Sequence, residues 1–281
     1  MSWQAIAKKD FQDSVRSRTL WAVIVLFFLG IGGLTYLVSG DLGGEETLAA
    51  AVGGTLVFGI LLFIPLTGLF ISVKSVVRER ESGTINLLLS MPHSRGEMVV
   101  GKFLGRSAVM TLAVLVGFIP AVVLIFVQGD VSVVSSLVFL LAPMLFGLMF
   151  VGIGVGFSAL FNTETQATIG GIVIFFALYL WRFVLGQIFS LVDASVPAFL
   201  ERFYLLDMFG DMVDALLPDG RGLMAPSSVT GSLESTPDGL ETVYPDSVAV
   251  YMQNWFVFVI LALWILVPLV IGYYRFSRVD L

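Results

Sequence analysis

The residues of this chain able to do chemistry are few. The most informative of them lie between Lys74 and Arg106, where Arg78-Glu79-Arg80-Glu81-Ser82-Gly83-Thr84 leads into Leu87-Leu88-Leu89 and then Pro92. The one histidine, His93, lies there too. A zinc hydrolase of the H-E-x-x-H kind needs paired histidines with a glutamate, and a Ser-His-Asp site needs a histidine held in a cavity. Neither set can be built from a single histidine that follows a proline. Gly96-Glu97-Met98-Val99-Val100-Gly101-Lys102-Phe103 nearly spells the phosphate loop G-x-x-x-x-G-K-[ST], but Phe103 stands where a hydroxyl would hold Mg²⁺, and no strand precedes it. The chain is therefore expected to have no catalytic residue and to bind no metal, cofactor or ATP by itself. With no cysteine anywhere, disulfides and thiolate metal sites are excluded for this chain.

The segment is better suited to being held against another protein. Gly83 permits a turn or a close backbone approach, and Ile85, Leu87, Leu88 and Leu89 offer apolar anchors. The flanking charges can fix register on a partner, and Pro92 ends the short helix.

The elements that must position this segment are membrane helices. The chain has 281 residues, of which 57% are hydrophobic and 13% charged, and a mean hydropathy of +0.96, which is far from the balance of a soluble domain. An apolar run of about 20 residues crosses the hydrocarbon core as a helix that satisfies its own backbone. Six such runs are present, roughly at 20–38, 50–73, 107–127, 133–160, 167–189 and 251–274. None alternates as a barrel strand does. The expected fold class is all-α: a polytopic membrane protein with six transmembrane helices in a single domain spanning 1–281.

An even number of spans puts both termini on one side. That side holds Lys8, Lys9, Arg16, Arg18, Lys74, Arg78, Arg80, Arg95, Lys102, Arg106, Arg275 and Arg278, against Arg202 and Arg221 on the other. The positive-inside rule then predicts cytoplasmic termini in the cell membrane. The first apolar run is too long for a signal peptide and lacks a cleavage site, so it is expected to stay. Residues 2–17 place Trp3, Ala7, Phe11 and Val15 on one stripe with Ile6 beside it. They form either an interfacial amphipathic helix on the inner leaflet or a helical extension of the first span.

The net charge of −6 comes mostly from acids of the outside segment, 190–250. That segment is either a solvated acidic face or a vestibule that attracts cations. Within it Phe199, Phe203, Leu206, Phe209 and Val213 oppose Asp207, Asp211 and Asp214, an amphipathic pattern, and 218–245 reads as loop and turn. Short connections near Gly129-Asp130 and 162–166 make spans three to five antiparallel neighbours. Gly152 and Gly156 are spaced for close helix packing, with a dimer contact as the second use. Arg182 is the one charge set within a span. It either snorkels to the headgroups, helped by Trp181 and Tyr179, or serves the translocation path or an interface.

The string from Arg78 to Arg95, with Gly101-Lys102-Phe103-Leu104-Gly105 after it, resembles the loop between spans two and three of ABC-2 type transporter permeases. The elements E-R-E-x-G-T, L-L-x-x-P-x-S-R and G-K-x-x-G occur in that family's order and spacing. The six-span layout, N-terminal interfacial helix and long outside segment agree with it. Within the family the loop is most similar to permeases that serve nitrous oxide reductase maturation. The resemblance implies that 74–106 carries a coupling helix docking on a separate ATP-binding cassette ATPase, with Glu81, Gly83, Thr84, Leu87 and Leu88 as the docking residues. It also implies a pair of permease chains, here expected to be a homodimer in the lipid bilayer, with ATP and Mg²⁺ on the partner subunit. The chain would form the substrate pathway of an exporter, with no nucleic-acid partner. Two rivals remain: a secondary transporter without an ATPase, disfavoured by the lack of membrane carboxylates, and a non-transporting membrane assembly subunit.

Overall fold

The structure is a computed structural model that describes residues 3–41, 60–83, 94–128, 133–217, 220, 222–236, 239–245 and 247–278. Of the expected docking residues, Thr84, Leu87 and Leu88 lie outside the described residues, as does His93.

The chain is a multi-pass all-α membrane protein with a small hairpin in its acidic segment. Its helices are α1 (Trp3–Val15), α2 (Arg18–Asp41), α3 (Ile60–Glu81), α4 (Arg95–Gly117), α5 (Ile119–Gln128), α6 (Val133–Leu160), α7 (Glu164–Ser190), α8 (Ala198–Glu201), α9 (Leu205–Leu216) and α10 (Phe256–Arg278). Among the described residues five helical spans are long and apolar enough to cross a membrane, at Ile60–Glu81, Arg95–Val123, Val133–Leu160, Glu164–Ser190 and Phe256–Arg278. A sixth is reached if α1 and the start of α2, bent by 64°, count as one. This bend separates α1 from the first apolar run, so α1 does not simply extend it.

Several span ends and one element differ from the sequence reading. The third span begins at Arg95, twelve residues before the apolar run, because Ser94 caps its N-terminus. The Ser94 hydroxyl accepts from the Glu97 amide at 3.1 Å, and the Glu97 carboxylate accepts from the Ser94 amide at 2.9 Å. A polar first turn is stable once its orphan amides are satisfied, although apolar periodicity does not show it. In 218–245 the structure has a two-stranded antiparallel hairpin, β1 (Ser232–Thr236) with β2 (Gly239–Val243), where only loop and turn were expected. Short polar strands carry little pattern to read.

The chain divides into two compact units. The larger comprises Met1–Ser132, Pro143–Val173 and Trp264–Leu281. Its interior is aromatic and closely packed: Phe27 meets Phe118 edge-on at 6.1 Å, and Phe146 meets Phe150 at 5.3 Å. Gly156 of α6 lies directly against the Pro268 backbone of α10, and a Cβ there would collide with it, so the paired glycines serve helix packing within the chain. α3 is interrupted by a turn at 73–76. The Val76 and Val77 amides freed there donate to the buried Ser158 hydroxyl at 2.8 and 3.0 Å, which lets a broken helix survive inside an apolar core.

The second unit comprises Val133–Ala142 and Ile174–Leu263. Here α9 buries Leu205, Met208, Phe209 and Met212, as its amphipathic pattern predicts. Asp211 is the exception: expected on the polar face, it is 1% exposed because it shares a helical face with Met208 and Met212 and has a buried cation to meet.

Candidate functional site

The basic end of the larger unit is built around four consecutive charges, Arg78, Glu79, Arg80 and Glu81, at the C-terminus of α3. A helix presents successive residues about 100° apart, so four neighbours in sequence point to four sides. Between them they meet three elements, the end of α6, the start of α7 and α4.

Arg80 reaches the C-terminal end of α6. It donates to the Phe161 carbonyl at 2.8 Å, the Ala159 carbonyl at 3.3 Å and the Asn162 side-chain oxygen at 3.1 Å. Glu81 reaches the N-terminal end of α7, where its carboxylate accepts from the Glu164 amide at 2.9 Å. A cation at a helix C-terminus and an anion at a helix N-terminus both complement the backbone dipole. The α6–α7 turn thus presents opposite partial charges side by side, and Arg80-Glu81 matches them in order. Arg78 and Lys74 close on the Glu164 carboxylate at 3.1 and 3.2 Å.

Glu79 turns toward α4. Its carboxylate lies 2.5 Å from the Lys102 ammonium, which also contacts Asp10 of α1 at 2.9 Å, and Arg106 meets the same Asp10 at 2.9 Å. Two cations and two carboxylates form a formally neutral quartet in which the Lys102 and Asp10 side chains are 9% and 4% exposed. Of the three helices, α1 and α4 can approach so closely because of Gly101 and Gly105. A Cβ on Gly101 would sit 2.8 Å from Ile6, and one on Gly105 2.9 Å from Asp10. The face of α1 that packs here carries Ile6, Ala7, Asp10 and Ser14, so the Trp3-Ala7-Phe11-Val15 stripe is not its only contact surface.

Gly83 ends α3. Its φ of +69° is left-handed, and its amide donates to the Arg80 carbonyl at 3.2 Å, the geometry of a glycine C-cap. On the far side of 84–93, Arg95 donates to the Phe276 and Ser277 carbonyls of α10 at 2.7 and 3.0 Å. Both stems of the segment are therefore tied into the unit.

Arg182 belongs to the second unit. It lies 3.5 Å from Asp207 of α9 and 5.5 Å from the Tyr204 ring centroid, with its side chain 59% exposed. Burial pushes the Asp207 carboxyl up to about 6, with Arg182 opposing the shift. Nearby, the fully buried Arg202 donates to Asp211 at 2.8 Å and to the Gln253 carbonyl at 3.0 Å, and Asp211 also accepts from the Ser228 amide at 2.7 Å. Burial pulls the Arg202 guanidinium below its ordinary range, and Asp211 opposes this.

Of the expected site residues the structure describes Glu81, Gly83 and Arg182. It brings Glu81 and Gly83 together at the end of α3. Glu81 is held by this chain's own α7, and Gly83 serves the helix end. Sequence reasoning did not single out Asp10, Glu79, Arg80, Lys102, Glu164 and Phe276. The alternation Arg-Glu-Arg-Glu was the available signal, since four charges of alternating sign at a helix end need four separate partners.

The profile of the family described as ABC-2 family transporter protein matches residues 4–281. Over 116 residues the chain is 37% identical to a "Probable ABC transporter permease protein NosY" of Stutzerimonas stutzeri, covering 40% of this chain and 41% of that protein. It is 36% identical to the protein of that name from Pseudomonas aeruginosa, covering 40% and 42%. The matched stretch thus spans about two fifths of the length of these curated relatives. With the family match running along nearly the whole sequence, the chain belongs to the ABC-2 family of transporter proteins.

Proposed function

We propose that this chain is the permease subunit of an ATP-driven exporter in the cytoplasmic membrane, with both termini in the cytoplasm. It docks a separate ATPase through the segment 74–106 and pairs with a second permease chain to form the substrate pathway. ATP and Mg²⁺ belong to the ATPase subunit. In this reading α1 lies along the inner interface, and 190–250 faces outward.

The observation that carries the reading is the manner in which the segment's stems are fixed. Arg78, Glu79, Arg80 and Glu81 bind α7, α4 and the end of α6, while Arg95 binds the end of α10. Force applied between the stems would therefore reach five helices at once. A loop that merely satisfied the positive-inside rule would need no such anchoring. The pairing with a second chain is supported by unequal burial: 67% of the α6 apolar window is buried within the chain, but only 17% of the α7 window and 22% of the α10 window. Those two helices leave long apolar faces for lipid or a second copy.

The test is recovery of the chain from its native membrane in mild detergent with identification of what accompanies it. A P-loop ATPase should co-purify with the wild type and be lost in Leu87→Ser/Leu88→Ser. Gly83 is a poorer probe, because its substitution strains the end of α3 directly. Recovery of the chain alone under several conditions, with transport that survives ATP depletion, would establish the secondary transporter.

A further inference from the structure

Phe276 is a wholly buried aromatic two residues from the end of α10. Its ring has the Arg80 guanidinium carbon 5.1 Å from its centroid and that of Arg95 at 5.6 Å. Arg80 is the last cation before 84–93 and Arg95 the first after it. The Phe276 carbonyl in turn accepts from Arg95 at 2.7 Å. One residue thus contacts both stems, and by two kinds of interaction.

This arrangement runs against simple electrostatics. Arg275 and Arg95 both act on Arg80 as like charges, so these cations oppose the approach of the stems that the Glu79–Lys102 ion pair favours. Arg80 and Arg95 themselves meet acceptors that are negative but uncharged: the face of one ring, the carbonyls of Ala159 and Phe161 at the end of α6, and those of Phe276 and Ser277 at the end of α10. Guanidinium suits this role better than ammonium, since its plane stacks on a ring while its edge donates to carbonyls. Two helix C-termini supply the carbonyls, where backbone acceptors have no helical partner.

We propose that Phe276 is a positioning residue that joins the two stems of the segment 74–106, so that the end of the last helix sets the presentation of the segment to its partner. The proposal deepens the permease reading and rests on it for the identity of that partner. The clamp itself does not depend on the partner. It predicts that the last span and the segment move as one body, and that substitutions far along the sequence at 276 mimic substitutions in the segment.

The absence of cysteine makes the clamp directly measurable. Cysteines replacing the exposed Ser82 and Val100 place one spin label on each stem. Pulsed electron paramagnetic resonance on the full chain in detergent, without ATPase, reads the distance distribution between them. Phe276→Leu, which keeps apolar volume but loses the ring face, should broaden or displace the distribution, and Phe276→Tyr should leave it narrow. Should Phe276→Leu fail to fold, Arg95→Lys keeps the charge, loses the planar fork and should broaden it likewise. An unchanged distribution in the folded variant overturns the clamp.

In the complex with the ATPase recovered alongside the chain, Phe276→Leu should leave the KM for ATP unchanged. It should lower the permease-stimulated turnover about tenfold, the factor that the loss of two cation–π contacts accounts for. Phe276→Tyr should retain that turnover. Equal turnover in wild type and Phe276→Leu, with equal distance distributions, refutes the inference while leaving the permease reading intact. A wild-type chain that binds no ATPase refutes the permease reading, and the spin-label result then decides the clamp by itself.

Discussion

Arg202 and Asp211 are nine residues apart, are both fully buried, and fasten one stretch of the second unit to itself. The charges around Arg80 are mostly half-exposed and reach partners 79 to 182 residues away, at the ends of α6, α7 and α10. The first arrangement is a local staple, whose strength comes from exclusion of water and whose failure would loosen one segment. The second is a long-range junction made of weaker contacts, whose value lies in how many elements it joins. A machine part that must transmit displacement needs the second kind, because many modest contacts around one point keep geometry without locking any single helix.

The contrast can be broken most forcefully at Arg202. Arg202→Met strands the Asp211 carboxylate in the interior and should cost about 3–5 kcal/mol, whereas Arg202→Met with Asp211→Leu should recover a large part of it. Thermal unfolding in detergent, read with protease cleavage in 190–250, would show this. A single variant as stable as wild type would remove the staple from the comparison.

Lys102→Met should come next, at about 2–3 kcal/mol, since it leaves Asp10 and Glu79 facing each other without their shared cation. Tryptic cleavage at Arg16 and Arg18 should accelerate as α1 loses its hold on α4, with 190–250 as protected as before. Simultaneous loss of protection in both places would mean that the two clusters are not independent.

Gly105→Val tests the same contact sterically. Its side chain would meet Asp10 and the Ala7 carbonyl, and overpacking of this kind costs about 1–3 kcal/mol. The same cleavage sites report it.

A smaller effect separates the clusters by pH. Asp207 ordinarily titrates near 3.8 and is pushed up to about 6 in the folded chain. The folded state therefore holds this proton more tightly than the unfolded one, so the associated stability is complete below 3.8 and is lost as pH rises through about 6. Asp207→Asn should flatten the melting temperature of the second unit across that window, and an unaltered slope would assign the dependence to another group.

The smallest effect is expected at Arg78, whose side chain is 70% exposed. Arg78→Gln should cost under about 1 kcal/mol, and the difference should vanish in high salt. A larger loss would show that the junction relies on its exposed pairs as well as on Arg80.

Much of this was legible in the sequence, for reasons that particular residues make plain. The apolar runs announced their helices because nothing else crosses a hydrocarbon core without an unpaired backbone, and Gly83 announced a turn because few other residues tolerate a left-handed φ. Asp211 could not be placed, since an aspartate on an amphipathic helix is by default solvated and only a buried Arg202 reverses that. The start of α4 at Arg95 was hidden for the opposite reason: a capping box is local and polar, and it leaves no trace in an apolar profile. Glu81 is a docking residue by the resemblance alone, and its contact within the chain has no sign in the sequence. Its mate, the Glu164 amide, is a backbone group 83 residues away.

The sequence by itself determined that this is a multi-pass helical membrane protein of the ABC-2 family with a charged segment between spans two and three. Those properties depend on composition, on run length and on residues adjacent in the chain, and each can be read without knowing what folds against what. Only the tertiary structure decided which partner each charge of Arg78-Glu79-Arg80-Glu81 takes, that Lys102 answers to α1 and α3 together, and that Phe276 lies between the two stems. These are meetings of residues far apart in sequence, fixed by helix packing against glycines and by the positions of helix ends.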